Sequence, residues 1–216
     1  MNFFEEIPET WLNILDHDIV KRTQDKLNAS LNDKLNDIFP KKSDIFKVFR
    51  LLSPDKIRVV ILGQDPYYAD EKQANGIAFD VNAGTKCPPS LRNIFKEVSR
   101  VYPNANLNIS SWVNQGVFML NAFLTVIRDK PGSHRSIWQE FTDHIIHVVS
   151  VLQGTRIFVL WGKFAENKKL LIDEKNIVFV TSHPSPLSCY KTETPFNGSD
   201  IFQRINDALG NERIEW

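Results

Sequence analysis

The chain has 216 residues, 42% of them hydrophobic, which is enough to bury one sizeable core and lies within the range of a single domain. Lys plus Arg and Asp plus Glu both number 26, so a formal net charge of zero excludes a global field that would draw the protein to nucleic acid or anionic lipid; any polyanion must be met locally. Cys87 and Cys189 stand far apart without C-x-x-C or histidine-rich company, and neither a basic leader nor a run of about 18 apolar residues occurs, so no disulfide framework, metal site, export or membrane span is expected, and a soluble cytoplasmic protein is.

In the opening third, Ile19, Leu27, Leu31 and Leu35 recur at helical spacing through Lys- and Asp-rich surroundings, predicting a packed surface helix in a mainly helical segment over 1–53 of the same domain. Val59 to Leu62 follows, an aliphatic run that reads as a parallel-sheet strand covered on both faces. Gly63 breaks it, and Pro66 fixes its own φ and restricts Asp65, so this carboxylate is presented in a defined direction. Pro88-Pro89-Ser90 then precedes Leu91, Ile94, Phe95, Val98 and Val101, the apolar face of a helix. A second strand, Val117 to Leu120, ends in Asn121. Trp138, Phe141, Ile145, Val148, Val149 and Leu152 mark another helix. Two more strands follow: Ile157 to Leu160, ending in Trp161-Gly162, and Ile177 to Val180, leading into Ser182-His183-Pro184-Ser185-Pro186-Leu187-Ser188. There is no repeat, low-complexity tract or linker. The predicted fold is α/β, one domain over 1–216, with a central four-stranded parallel sheet flanked by helices and the active site at the carboxyl edge of the strands.

Parallel strands bring their tips to one edge, so Asp65, Asn121 and His183 are expected to face a common cleft although more than fifty residues separate each from the next. Each has a plainer alternative: Asp65 as an N-cap, Asn121 as the cap of a following turn, His183 as a hydrogen-bonded structural residue. Their joint placement weighs against all three.

Gly63-Gln64-Asp65-Pro66-Tyr67, Gln73-Ala74-Asn75-Gly76-Ile77-Ala78-Phe79, Pro88-Pro89-Ser90-Leu91, Leu120-Asn121-Ala122-Phe123-Leu124-Thr125-Val126 and His183-Pro184-Ser185-Pro186-Leu187-Ser188 together resemble, in order and spacing, the motif series of family 1 uracil-DNA glycosylases. The likeness runs from about Pro54 to Trp216. It implies a monofunctional hydrolase that cleaves the N-glycosidic bond of uracil in DNA and leaves an abasic site, the first step of base excision repair, acting on a base flipped out of the stack. It assigns Asp65 to the cationic sugar and the attacking water, and His183 to uracil O2 as negative charge grows there. Gln64 lies beside that oxygen, Phe79 stacks on the base, and the Asn121 amide reads O4 and N3–H, whose polarity cytosine reverses. Tyr67 is the steric gate against the thymine methyl. Ser90, Ser185 and Ser188 hold phosphates through hydroxyls and backbone N–H groups, and Leu187 is the wedge that enters the vacated space. The implied partners are uracil-containing DNA, single- or double-stranded, and as a candidate a DNA-mimicking inhibitor protein; no cofactor, metal or membrane is implied, and a monomer is expected. No lysine occupies a motif position, so Schiff-base chemistry and strand cleavage are not expected.

The chain departs from the family pattern at four places. Tyr68 stands where the family most often has histidine, the Tyr68 to Gln73 segment is one residue longer, and the 191–199 segment is expanded and carries Glu193. Ser133 to Trp138 is one residue shorter, and His134 is not named catalytic. Two competing readings come from other functional classes. A catalytically silent DNA-binding module is disfavoured by retention of Asp65, Asn121 and His183, and a nucleotide-binding α/β protein by the lack of G-x-G-x-x-G and G-x-x-x-x-G-K-[ST].

Overall fold

All four apolar runs form strands, each one residue longer than its apolar core. In a computed structural model that describes residues 2–31, 37–69 and 72–216, the order is α1 (Glu9–Leu12), α2 (His17–Leu31), β1 (Ile38–Phe39), α3 (Lys47–Leu51), β2 (Val59–Gly63), α4 (Pro89–Val101), α5 (Ile109–Asn114), β3 (Val117–Asn121), β4 (Val126–Ile127), α6 (Arg135–Val151), β5 (Ile157–Trp161), α7 (Gly162–Glu166), β6 (Ile177–Thr181) and α8 (Ile201–Leu209). The main sheet runs β3-β2-β5-β6, parallel throughout, as the helical crossovers require. Every residue of β2, β3 and β5 is buried. β6 is half-buried, unlike β3 at the other edge, which α3, α5 and the Trp11 ring cover, and the Arg204 guanidinium lies over the Phe179 ring at 4.5 Å.

The register sets the height of every strand tip. Leu62 pairs with both Leu120 and Leu160, and Leu160 with Val180, so the strands end level; Gly63 opposite Asn121 and Trp161 opposite Thr181 complete the carboxyl edge. The extra residue per strand is a backbone effect, since ladder hydrogen bonds do not require an apolar side chain.

The helical N-terminal segment packs onto this sheet. Trp11 is fully buried, stacks on Phe118 of β3 at 5.0 Å, and donates its indole N–H to the carbonyls of Phe49 and Leu52 at 3.1 and 2.9 Å. Leu27 and Leu31 of α2 are buried and Ile19 is half-buried, as the spacing predicted; Leu35 lies outside the described residues. α5, α7 and α8 were not predicted, and neither was a second, smaller sheet. β1 and β4 pair antiparallel, Phe39 opposite Val126, and close a small cluster with Ala74 against which Tyr68 packs. Two-residue strands are too short to show a period.

Candidate active site

The level strand ends set Asp65 two residues past β2, Asn121 at the last position of β3 and His183 two residues past β6, all on the carboxyl edge. Gln64, Asp65, Tyr67, Phe79, Ser90, Asn121 and His183 line one cleft of ≈ 680 Å³. No helix follows Asp65 for it to cap, and the Asn121 amide, although buried, makes no hydrogen bond among the described residues. Both plainer alternatives therefore fail, and the Asn121 amide is available to a ligand.

Two glycines allow this convergence. A Cβ on Gly63 would stand 2.3 Å from Asn121 Oδ1, and one on Gly162, whose φ is +82°, would stand 2.9 Å from the His183 Cβ. Sequence reading took Gly63 for a strand breaker and Gly162 for a strand tip. Their close approach to distant side chains depends on the register, which no local pattern announces.

Each polar group is held in a definite state. Asp65 accepts hydrogen bonds from the Gly132 backbone N–H at 3.0 Å and the Gln64 amide at 3.1 Å, yet burial outweighs both and raises its carboxyl above the usual range. His183 Nδ1 accepts the Ser185 N–H at 3.0 Å, so in the neutral ring the proton sits on Nε2, and burial lowers the pKa to keep the ring neutral. Phe79 adopts a left-handed backbone (φ 63°), with its ring 5.2 Å from Trp161 and 5.8 Å from His183. Tyr67 directs its hydroxyl toward the Phe79 carbonyl at 3.5 Å, and burial pushes its pKa up.

The loop after His183 folds back on itself. Ser185 and Ser188 hydroxyls lie 3.0 Å apart, and the Ser188 hydroxyl donates to the His183 carbonyl at 3.2 Å. Neither serine lines the cleft, and Leu187 between them is 80% exposed. Ser90 lies within the first turn of α4, after Pro89 at the first helical position, rather than ahead of the helix. His134 is buried outside the cleft lining, its Nδ1 2.8 Å from the Thr125 hydroxyl, consistent with a structural role. Tyr68 lines the cleft, whereas residues 70 and 71 of the lengthened turn lie outside the described residues. Sequence reading passed over Lys86 and Arg92, which flank the Pro88-Pro89-Ser90 motif and line the cleft.

The model of the uracil DNA glycosylase superfamily matches residues 49–210. The chain belongs to this superfamily. Among relatives, the uracil-DNA glycosylase of Caenorhabditis elegans is 41% identical over 96% of this chain and 77% of its own length. That of Borrelia hermsii is 42% identical over 92% of both. The crystal structure of mimivirus uracil-DNA glycosylase superposes with a TM-score of 0.89 at 28% identity, covering 100% of this chain and 89% of that one, and a variant of it in complex with UGI gives the same score. A glycosylase of this superfamily thus presents an aspartate, an amide and a neutral imidazole to one cleft at the end of a parallel sheet.

Proposed function

We infer that this chain excises uracil from DNA by hydrolysing the N-glycosidic bond, leaving an abasic site as the first step of base excision repair. The observation that carries the reading is the meeting of Asp65, Asn121 and His183, with Phe79, in one cleft. Departure of a base from deoxyribose builds positive charge on the sugar and negative charge on the base, and both need fixed partners. Asp65 is assigned to the sugar side. Its carboxylate faces the cation and orients or deprotonates the water whose oxygen bonds to C1′ as the C1′–N1 bond breaks, and its raised pKa makes it a better base than an exposed aspartate. His183 is assigned to the base side, its Nε2–H donating to uracil O2 as the electron pair of the broken bond moves onto the ring; the Ser185 N–H on Nδ1 supports that tautomer.

Selectivity is assigned to three side chains. The Asn121 amide offers an acceptor to N3–H and a donor to O4, a pairing that cytosine would leave unsatisfied. Phe79 is assigned to stack on the base, and the Tyr67 ring to fill the space that the thymine methyl would need. The nucleotide reaches the pocket by leaving the stack, with Leu187 entering behind it and Ser90, Ser185 and Ser188 holding the flanking phosphates. Incubation without metal on oligonucleotides bearing a single uracil, thymine or cytosine tests this reading. Uracil alone should be released, and borohydride should trap no covalent adduct; equal release of thymine, or no release at all, refutes it.

A further inference from the structure

Glu97 is a carboxylate that the mechanism does not use, and it is 2% exposed. It lies on α4, the helix whose first turn carries Ser90. Both of its oxygens are fully engaged. Oε2 accepts from Arg100 Nε at 3.0 Å and the Gly198 N–H at 2.9 Å, and Oε1 from Arg100 Nη2 at 2.8 Å and the Asp200 N–H at 3.1 Å. Gly198 and Asp200 both adopt left-handed backbone (φ 79° and 54°), which turns their N–H groups toward this one anion. One turn earlier on α4, Asn93 donates its amide to the Pro184 carbonyl at 2.7 Å, immediately after His183.

The loop between these two anchors is stitched along its length. Asn197 N–H reaches the Cys189 carbonyl at 3.0 Å, Ser182 N–H the Thr194 carbonyl at 2.8 Å, and the buried Phe196 ring packs edge-on against Trp161 at 5.2 Å. A shift at Gly198 therefore passes through Asn197 to Cys189, two residues from Leu187. A position that served only to pack α4 on the core would be met as well by an aliphatic side chain, because a buried charge gains stability only through its partners. Here half of those partners are backbone groups of the wedge loop.

We propose that Glu97, with Asn93, is a positioning residue: it locks the loop carrying His183, Ser185, Leu187 and Ser188 to the helix carrying Ser90, so that both walls of the DNA-gripping cleft move as one body. The proposal rests on the excision reading. Asn93 holds the loop at both the Pro184 carbonyl and Cys189 Sγ, the latter at 3.4 Å, whereas Glu97 holds it only through Gly198 and Asp200, whose link to His183 is the longer one. Glu97→Gln, which keeps the shape but sets an amide N–H against the loop's N–H groups, should slow excision from a duplex by about tenfold more than from a single strand, the scale of one lost charge-assisted hydrogen bond. Asn93→Ala, which frees the loop beside His183 as well as at Cys189, should slow both substrates.

The deciding measurement is a double-mutant cycle of Glu97→Gln with Leu187→Ala, read as single-turnover excision from duplex and single-stranded DNA at matched active-site concentration. Loss on the duplex that is not additive with Leu187→Ala supports the proposal, because the carboxylate then acts through the wedge. Additive loss, equal on both substrates, overturns it and assigns Glu97 to the fold alone. Should Glu97→Gln fail to fold, Arg100→Gln, whose side chain is 44% exposed, removes two donors from the same carboxylate together with the ion pair to Asp200, loosening the same anchor, and carries the same cycle. Wild-type excision from the single strand is the control. If it is absent, the functional reading fails; if it is present and the cycle is additive, only this inference does.

Discussion

Asp65 joins a catalytic assignment to a stability cost, and pH separates the two. Burial raises its carboxyl above the ordinary value of 3.8, so between that value and the raised one the folded state binds more protons than the unfolded chain. Stability contributed by this group is thus present below pH 3.8 and lost as pH rises through the raised value. Asp65→Asn should cut turnover by roughly a hundredfold or more, while leaving binding of uracil-containing DNA nearly intact. The same variant should melt at a higher temperature than wild type at pH 7, with the gap closing as the solution is acidified; thermal denaturation across pH 3 to 8 reads the sign, and a lower melting temperature at neutrality overturns it. His183 shifts the other way, so wild-type kcat/KM should hold level as pH falls through its ordinary 6.5 and decline only below it. Tyr67 is the third residue with a separable role. Tyr67→Ala empties the cleft wall beside Phe79 and should let measurable thymine be released from oligonucleotides, with slower uracil excision; unchanged discrimination removes the gate from this side chain.

Among the elements, the strand tips carry the site, and their heights are set by register rather than by any one motif. Gly63→Ala should displace the Asn121 amide, whose Oδ1 lies 2.3 Å from the new methyl, while barely perturbing β2 itself. Uracil excision should fall well beyond the change in melting temperature, and discrimination against cytosine should narrow; a variant with wild-type kcat/KM would show that Asn121 does not need its present place. The element level is also where the sequence is most and least legible. The four strands and the α4 and α6 helices can be read because unbroken aliphatic runs and 3.6-residue spacing are local signals. β1 and β4 cannot, because two residues carry no period, and neither can the half-burial of β6 against the full burial of β3 at the opposite edge, because which strand the helices cover is set by tertiary packing. The same division holds in the cleft. Asp65, Asn121 and His183 are visible as polar residues that end apolar runs, and the motif resemblance supplies Tyr67 and Phe79. The clamp of Glu97 on Gly198 and Asp200, by contrast, spans about a hundred residues and looks locally like an ordinary i, i+3 pair with Arg100.

At the scale of the whole molecule, a protein without net charge must bind a polyanion, and the distribution of its ion pairs indicates how. Away from the cleft, part of the positive charge is neutralised in place, Arg22 and Lys26 on Glu140, Arg50 on Glu6, Lys168 on Asp143 and Arg213 on Asp207, while the cations that line the cleft are left for a ligand. Lys86 and Arg92 are exposed on the cleft lining, and neither has a carboxylate within ion-pair distance among the described residues. In the proposed reading the remaining phosphate contacts fall to serine hydroxyls and backbone N–H groups, which bring no charge and release no counterions. Each phosphate neutralised by a cation contributes about −0.9 to the slope of log K against log salt on duplex DNA, so two cations predict a slope near −2. Duplex affinity measured from 50 to 200 mM salt should thus fall only about tenfold to twentyfold. Lys86→Gln and Arg92→Gln should each flatten the slope by about one while leaving uracil-over-thymine selectivity unchanged, because phosphate contacts carry no base information. A slope several units steeper, or one indifferent to both substitutions, would mean that DNA is gripped by a cationic surface elsewhere on the molecule, and the cleft would then have to be reached from a different direction than the one these two side chains mark.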